Sequence, residues 1–253
     1  MIITPLLAFK DNYIWLLIDT IGNVICIDPG DAKPVIDYLD KTGFTLKAIL
    51  LTHHHMDHIG GVVELCQAYP NVLSYGPADS RIPVIHHTLG HNTLIELEPW
   101  QFRILSIPGH TSSHICYFET NKQLLFCGDT LFSAGCGRVF DGTYEQLLNS
   151  LLLLKTLPDQ TKIYCGHEYT RQNLRFAATV EPHNLAIQQY QQTLNKDPHT
   201  CSLPSTMELE KEVNPFLRLS EPQVQNYAKM HGCHSEDLLS IFKQIRKNKD
   251  NFS

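Results

Sequence analysis

Residues 52–58 read Thr-His-His-His-Met-Asp-His, and this run decides how the rest of the chain is to be read. His53, His55, Asp57 and His58 are nitrogen and oxygen donors of the kind that zinc and other divalent ions take. The run follows the apolar stretch 48–51 and precedes Gly60-Gly61 and a helical pattern, so it occupies a strand-to-helix turn. Alternate residues of an extended segment share a face. His53 and His55 therefore project together, His54 points the other way, and Asp57 and His58 continue around the turn toward a second position.

Three further stations share one local pattern of apolar strand, glycine and ligand-type residue. Residues 104–108 lead into Gly109-His110, 124–127 into Gly128-Asp129, and 163–165 into Gly166-His167. Strand ends are where a rigid scaffold presents functional groups, and a preceding glycine lets the backbone turn sharply beside a crowded site. The set suffices for two ions. His53, His55 and His110 are assigned to one, Asp57, His58 and His167 to the other, with Asp129 as a bridge. His86, His87, His91, His114, His183, His199, His231 and His234 lack the pattern and are read as ordinary. A donor set of imidazole and carboxylate without cysteine suits zinc, iron or manganese.

The first two thirds of the chain read as short strands at 13–18, 24–27, 48–51, 72–75, 102–107, 115–118, 124–126 and 162–165. Helical patterns fall at 33–41, 61–69 and 144–157, the last with Thr143 as N-cap and apolar on nearly every face. After about Arg171 helices follow one another: Pro182 ends the first, and 183–196 continues. Ser205 and Glu208 have capping-box spacing, and Ser220 and Ser235 are candidate caps for two more helices. The chain thus divides into an α/β body at 1–170 and a small all-helical domain at 171–253.

Composition narrows the function. The chain has 253 residues, 43% hydrophobic and 18% charged, so there is material for a core and no disorder signature. A net charge of −6 argues against nucleic acid as a partner, since binding it depends on neutralising phosphates. No apolar run approaches the ~20 residues of a membrane helix, and the first ten residues carry no signal-peptide pattern. A cytoplasmic protein is expected. The 8 cysteines are scattered without a C-x-x-C pair, so disulfides are not expected.

The stations at 52–58, 110, 129 and 167 resemble the metallo-β-lactamase superfamily, and the turn Asp28-Pro29-Gly30 fits it too. Segments 9–15 (FKDNYIW), 108–117 (PGHTSSHICY), 126–138 (FCGDTLFSAGCGR), 164–170 (YCGHEYT) and 245–252 (IRKNKDNF) narrow the likeness to the glyoxalase II, or hydroxyacylglutathione hydrolase, family. The resemblance implies an αββα sandwich with a binuclear metal centre, zinc first, followed by a helical domain that helps hold the substrate. It implies hydrolysis of S-D-lactoylglutathione to glutathione and D-lactate, the second step of methylglyoxal detoxification. It also implies glutathione contacts from Arg138, Tyr169, Arg246 and Lys249. Where the family carries lysine and tyrosine, this chain has Arg138 and Phe140. Arginine keeps the cation and grips a carboxylate in bidentate fashion; phenylalanine offers no hydroxyl.

The chemistry agrees with the residues. A water on divalent metal has its pKa lowered from 15.7 to about 7, and Asp57 is placed to orient the resulting hydroxide. A thiol leaving group with a pKa of about 8.5 departs as thiolate without a dedicated acid, and none is evident. A lactonase or β-lactamase shares the ligands but does not call for the cations of the C-terminal segment. A single-iron persulfide dioxygenase is disfavoured because both half-sites are complete. A non-catalytic metal-binding module is the rival from another class.

Overall fold

A computed structural model describes residues 1–197 and 200–252, so the reading of His199 lies outside the described residues. The chain forms two compact units, residues 1–106 with 113–128, and residues 107–112 with everything from 129 onward.

The first unit runs β1 (Ile2–Ala8), β2 (Asn12–Ile18), β3 (Asn23–Ile27), α1 (Ala32–Thr42), β4 (Thr45–Leu50), α2 (Met56–Ile59), α3 (Val62–Ala68), β5 (Leu73–Pro77), β6 (His87–Leu89), β7 (Leu94–Leu97), β8 (Trp100–Ser106), β9 (Ile115–Glu119) and β10 (Leu124–Gly128). Strands β1 to β6 lie side by side in chain order. The pairs from β1 to β3 are antiparallel and those from β3 to β6 parallel. Strands β7 to β10 form an antiparallel meander.

Helix α1 is the crossover between parallel β3 and β4. Asp31 caps its start by accepting from the Lys33 amide, and Gly43 ends it in the left-handed region at φ 71. Val35 and Leu39 of α1 and Val62 and Leu65 of α3 bury against Leu16, Ile18, Val24, Cys26 and Ile49 on one sheet face. Every residue of β2 is buried, as a strand covered on both faces must be. The meander supplies the second cover: the fully buried Tyr117 of β9 donates its hydroxyl to the Leu51 carbonyl at 2.8 Å and accepts from the Leu51 amide at 3.1 Å. The two layers are thereby tied together just beyond the end of β4.

The second unit contains β11 (Leu131–Phe132), β12 (Gly135–Cys136), α4 (Tyr144–Lys155), β13 (Lys162–Cys165), α5 (Thr170–Val180), α6 (Leu185–Asn195), β14 (Ser205–Thr206), α7 (Met207–Val213), a 3-10 turn at Pro215–Leu217, α8 (Pro222–Met230) and α9 (Leu238–Asp250). Ala134, Leu174, Ala177, Ile187 and Val213 form one of its cores. Helix α4 shares its core with the C-terminal helices. Tyr144 meets Phe242 edge-on at 6.5 Å, and Lys155 Nζ donates to the Leu217 carbonyl at 2.6 Å. Compactness thus divides the chain differently from the sequence boundary at 170/171.

Most of the expected elements appear within a few residues of their places, with differences that have local causes. Strand β1 went unread because Pro5 interrupts it; as the outermost strand of its sheet it tolerates a missing N–H. Helix α7 is capped by Thr206, which accepts from the Leu209 amide, not by Ser205. Helix α8 starts from Glu221, with Pro222 in its first turn and no side-chain cap, so Ser220 is not its cap. Asp237 caps α9 by accepting from the Ser240 amide, and Ser235 instead donates to Asp237. No helix among the described residues is long and apolar enough to cross a membrane.

Thr143 caps α4 as expected, in a full capping box with Gln146. Thr143→Ala is expected to cost about 1 kcal/mol and to lower Tm by about 2–4 °C. A melting curve that coincides with wild type would show that α4 is fixed by packing alone.

Candidate functional site

In the first unit, the chain leaving β4 runs extended through Thr52 to His55 and turns into α2, which carries Asp57 and His58. The turn is organised by Asp28, a buried residue at the end of β3 with φ 51. Its carboxylate accepts from the Thr52 amide at 2.8 Å, the Thr52 hydroxyl at 2.6 Å and His58 Nδ1 at 3.0 Å. Because the Thr52 hydroxyl donates to Asp28, it accepts from His53 Nδ1, 3.0 Å away. The Nδ1 protons of His53 and His58 are thus spoken for, which leaves the lone pair of each ring on Nε2, the state in which imidazole binds metal.

The neighbouring side chains complete this half. His53 Nε2 and His55 Nδ1 converge to 3.1 Å. Asp57 Oδ2 accepts from Asn12 Nδ2 at 3.0 Å, and its carbonyl accepts from the same amide at 3.2 Å. A Cβ at Gly30 would overlap that carbonyl, so only glycine allows the α2 turn to seat so closely. His114 is fully buried and stacks on His53 at 4.6 Å and 15°. His54 lies 3.4 Å from Asp79, whose carboxyl Arg81 and Ser113 hold well below the usual carboxylate range.

In the second unit His110, Asp129 and His167 are all buried. His110 Nδ1 donates to the Arg138 carbonyl at 2.8 Å, leaving Nε2 to face Asp129 Oδ2 at 3.7 Å. His167 Nε2 lies 3.2 Å from the same oxygen. Tyr169 stacks flat on His167 at 4.7 Å and 6°, and Phe132 meets both rings edge-on. One carboxylate with imidazoles on two sides is the donor chemistry of a cation site, and it fits the ions the sequence implies.

The cations differ among themselves. Arg138 is exposed, with Nε 3.3 Å from Asp250. Arg246 is buried: it donates to the Cys136 carbonyl at 2.7 Å, pairs with Asp250 at 3.1 Å and lies over the Phe216 ring. Lys249 is buried, its ammonium over the adjoining rings of Phe176 and Phe252. Burial, followed by the charges of Arg246, Arg138 and Arg175, pulls its pKa down to about 8. Phe140 is 64% exposed and presents its edge to His110 at 5.1 Å.

Sequence reasoning missed Asn12 and His114 as neighbours of the ligands, and took Asp28 only as part of a turn. Asn12 lies in the quoted segment 9–15 and His114 in 108–117, but neither carries the strand-glycine-ligand pattern. Their parts arise from contacts across the fold.

Comparison with known proteins agrees along the whole chain. Residues 10–167 match the family model of the metallo-β-lactamase superfamily, and 168–252 match the hydroxyacylglutathione hydrolase C-terminus. A hydroxyacylglutathione hydrolase of Legionella pneumophila (strain Corby) is 52% identical over 253 residues, 100% of both chains. One from Aliivibrio fischeri (strain ATCC 700601 / ES114) is 47% identical over 97% of each. Among solved structures, ETHE1 from Myxococcus xanthus superposes with a TM-score of 0.68 and the B3 metallo-β-lactamase BLEG-1 with a TM-score of 0.66. ETHE1 is 22% identical and both chains are covered in full; BLEG-1 is 23% identical over 85% of this chain and 99% of its own. These two likenesses establish the fold. With its metallo-β-lactamase fold, its His/Asp cluster suited to divalent metal and its helical C-terminus, the chain belongs to the hydroxyacylglutathione hydrolase family of the metallo-β-lactamase superfamily.

Proposed function

We propose that this protein is a metal-dependent thioester hydrolase that converts S-D-lactoylglutathione and water to glutathione and D-lactate. The observation that carries the reading is the full-length relationship to hydroxyacylglutathione hydrolases with every ligand station filled. We assign His53, His55 and His110 to one ion and Asp57, His58 and His167 to the other, with Asp129 between them. Two divalent cations, zinc first with iron or manganese as alternatives, supply Lewis acidity for the thioester carbonyl and lower the pKa of water toward 7.

The chain's own residues do the rest. Asp57, its Oδ2 gripped by Asn12, accepts a hydrogen bond from the attacking water and sets its direction. Asp28 and the Arg138 carbonyl keep the protons of His58 and His110 on Nδ1. The glutathione leaving group departs as thiolate, which removes any need for a proton donor. Its carboxylates find a cationic cluster of Arg138, Arg246 and Lys249 on a chain of net charge −6, and Tyr169, stacked on His167, is assigned a further contact. Arg138 reaches solvent and makes direct contact; Arg246 adds charge from beneath. In this reading residues 1–170 carry the chemistry, and 171–253 help hold the substrate.

The deciding assay is steady-state hydrolysis of S-D-lactoylglutathione beside an acyl thioester lacking glutathione. Fast turnover of the first alone is expected; equal turnover of both would discard the glutathione roles. Asp129→Ala should fold yet lose metal and most activity, and full metal content by elemental analysis would remove Asp129 from the site. Asn12→Ala removes one of the bonds that hold the Asp57 carboxylate in direction, so kcat should fall about tenfold with KM little changed. An effect on KM alone would place Asn12 in substrate binding instead. Lys249 is a cation below about pH 8 and neutral above it, so KM for the glutathione thioester should rise by about tenfold, or ~1.4 kcal/mol, between pH 7 and 9. Lys249→Arg should flatten that rise, and a wild-type KM constant over the range would exclude Lys249 from binding.

A further inference from the structure

The ribbon of β11 and β12 has only two residue pairs in its own ladder, Leu131 with Cys136 and Phe132 with Gly135. A two-stranded ribbon of that size does not hold itself in water, and its tip residue Ala134 stands in the left-handed region at φ 55. Its other backbone groups are held by side chains from three helical segments. Asn173 of α5 donates to the Ser133 carbonyl at 3.0 Å. Asn214, just past α7, donates to the carbonyls of Phe132 at 3.2 Å and Gly135 at 2.9 Å. Arg246 of α9 donates to the Cys136 carbonyl at 2.7 Å. Glu210 of α7 accepts on one oxygen, Oε2, from the Ala134 amide at 2.8 Å and from Asn214 Nδ2 at 3.0 Å.

Asn173, Glu210, Asn214 and Arg246 are all buried. Polar groups are kept in such surroundings only when bonded, so these helices are committed to the ribbon. The ribbon in turn sets the candidate ligands of its unit. Asp129 enters it, and Phe132 packs edge-on to His167 and Tyr169. Arg138, two residues beyond β12, lends its carbonyl to His110 Nδ1. A Cβ at Gly137 would overlap the Asp129 carbonyl and come within 3.0 Å of His110 Nδ1, so ribbon, carboxylate and imidazole have no slack between them.

We propose that Glu210, acting through Ala134 and Asn214, is a positioning residue for Asp129, His110 and His167, and that the C-terminal helices clamp the ribbon as well as holding substrate. The proposal rests on the ligand assignment of the preceding subsection. It assigns to a buried carboxylate with no part in the chemistry the task of keeping a metal half-site in register.

Zinc content by elemental analysis and zinc retention against a chelator, measured on wild type, Glu210→Leu and Glu210→Gln, test it. Leucine keeps the volume without the acceptor. Glutamine places its amide oxygen at the Oε2 position, where it can take both donors. Glu210→Leu is expected to melt cooperatively yet lose zinc to the chelator about 10–100-fold more readily, with kcat reduced and KM unchanged. Glu210→Gln should restore wild-type retention, and the visible spectrum of the cobalt-substituted protein should follow the same split. Wild-type zinc content and retention in a folded Glu210→Leu would overturn the proposal. Should Glu210→Leu fail to fold, Asn173→Ala, which removes only the bond to Ser133, decides: weakened retention supports the clamp and unchanged retention overturns it. A wild-type protein that holds no divalent metal would instead overturn the ligand assignment, and the clamp with it.

Discussion

The Asp28 carboxylate is the interaction on which the first half of the site depends. It is buried, and an ionised carboxylate out of water is tolerated only when it is well bonded. Three donors meet that need: the Thr52 amide, the Thr52 hydroxyl and His58 Nδ1. Each is also a constraint on the ligand turn. The amide bond fixes where the chain leaves β4, the hydroxyl bond makes Thr52 an acceptor for His53, and the imidazole bond sets the tautomer of His58. The parallel pairing of β3 and β4 brings Asp28 and Thr52 to the same end of the sheet. One left-handed residue therefore converts sheet register into ring orientation.

The second unit reaches the same end with a backbone group. His110 is turned by the Arg138 carbonyl, and His167 packs against the Tyr169 ring, flat on it, and against Phe132, which also meets Tyr169. Nδ1 of His53, His58 and His110 is bonded, so under the proposed ligand assignment these rings would have little rotational freedom to lose on binding an ion through Nε2. That is preorganisation of the kind that raises metal affinity without adding a ligand.

How much of this was legible in the sequence depended on how local each cause is. The run 52–58 could be read because strand periodicity and donor type coincide within one turn, and α4 because Thr143 and Gln146 lie in the same box. Asn12 and Asp28 could not be assigned their roles, since their partners are 45 and 24 to 30 residues away in the chain. The caps of α7 and α9 slipped by one or two residues because adjacent hydroxyls and carboxylates compete and only backbone geometry chooses between them. The ribbon at 131–136 was beyond reach altogether: its anchors come from 40 to 110 residues later.

The cationic end of α9 shows what the same locality hides in electrostatics. Arg138, Arg246 and Lys249 repel one another, and Asp250 offers a counter-charge to Arg246 at 3.1 Å and to Arg138 at 3.3 Å. Lys249 bears the cost, its ammonium destabilised by burial and by the three arginines around it. In the proposed substrate-binding role, a polyanionic ligand would relieve that repulsion, so part of its binding free energy would come from strain already built into the fold. Phe140, exposed and without a hydroxyl, offers no directed bond there, so in the proposed role the attraction for anions would be carried by charge.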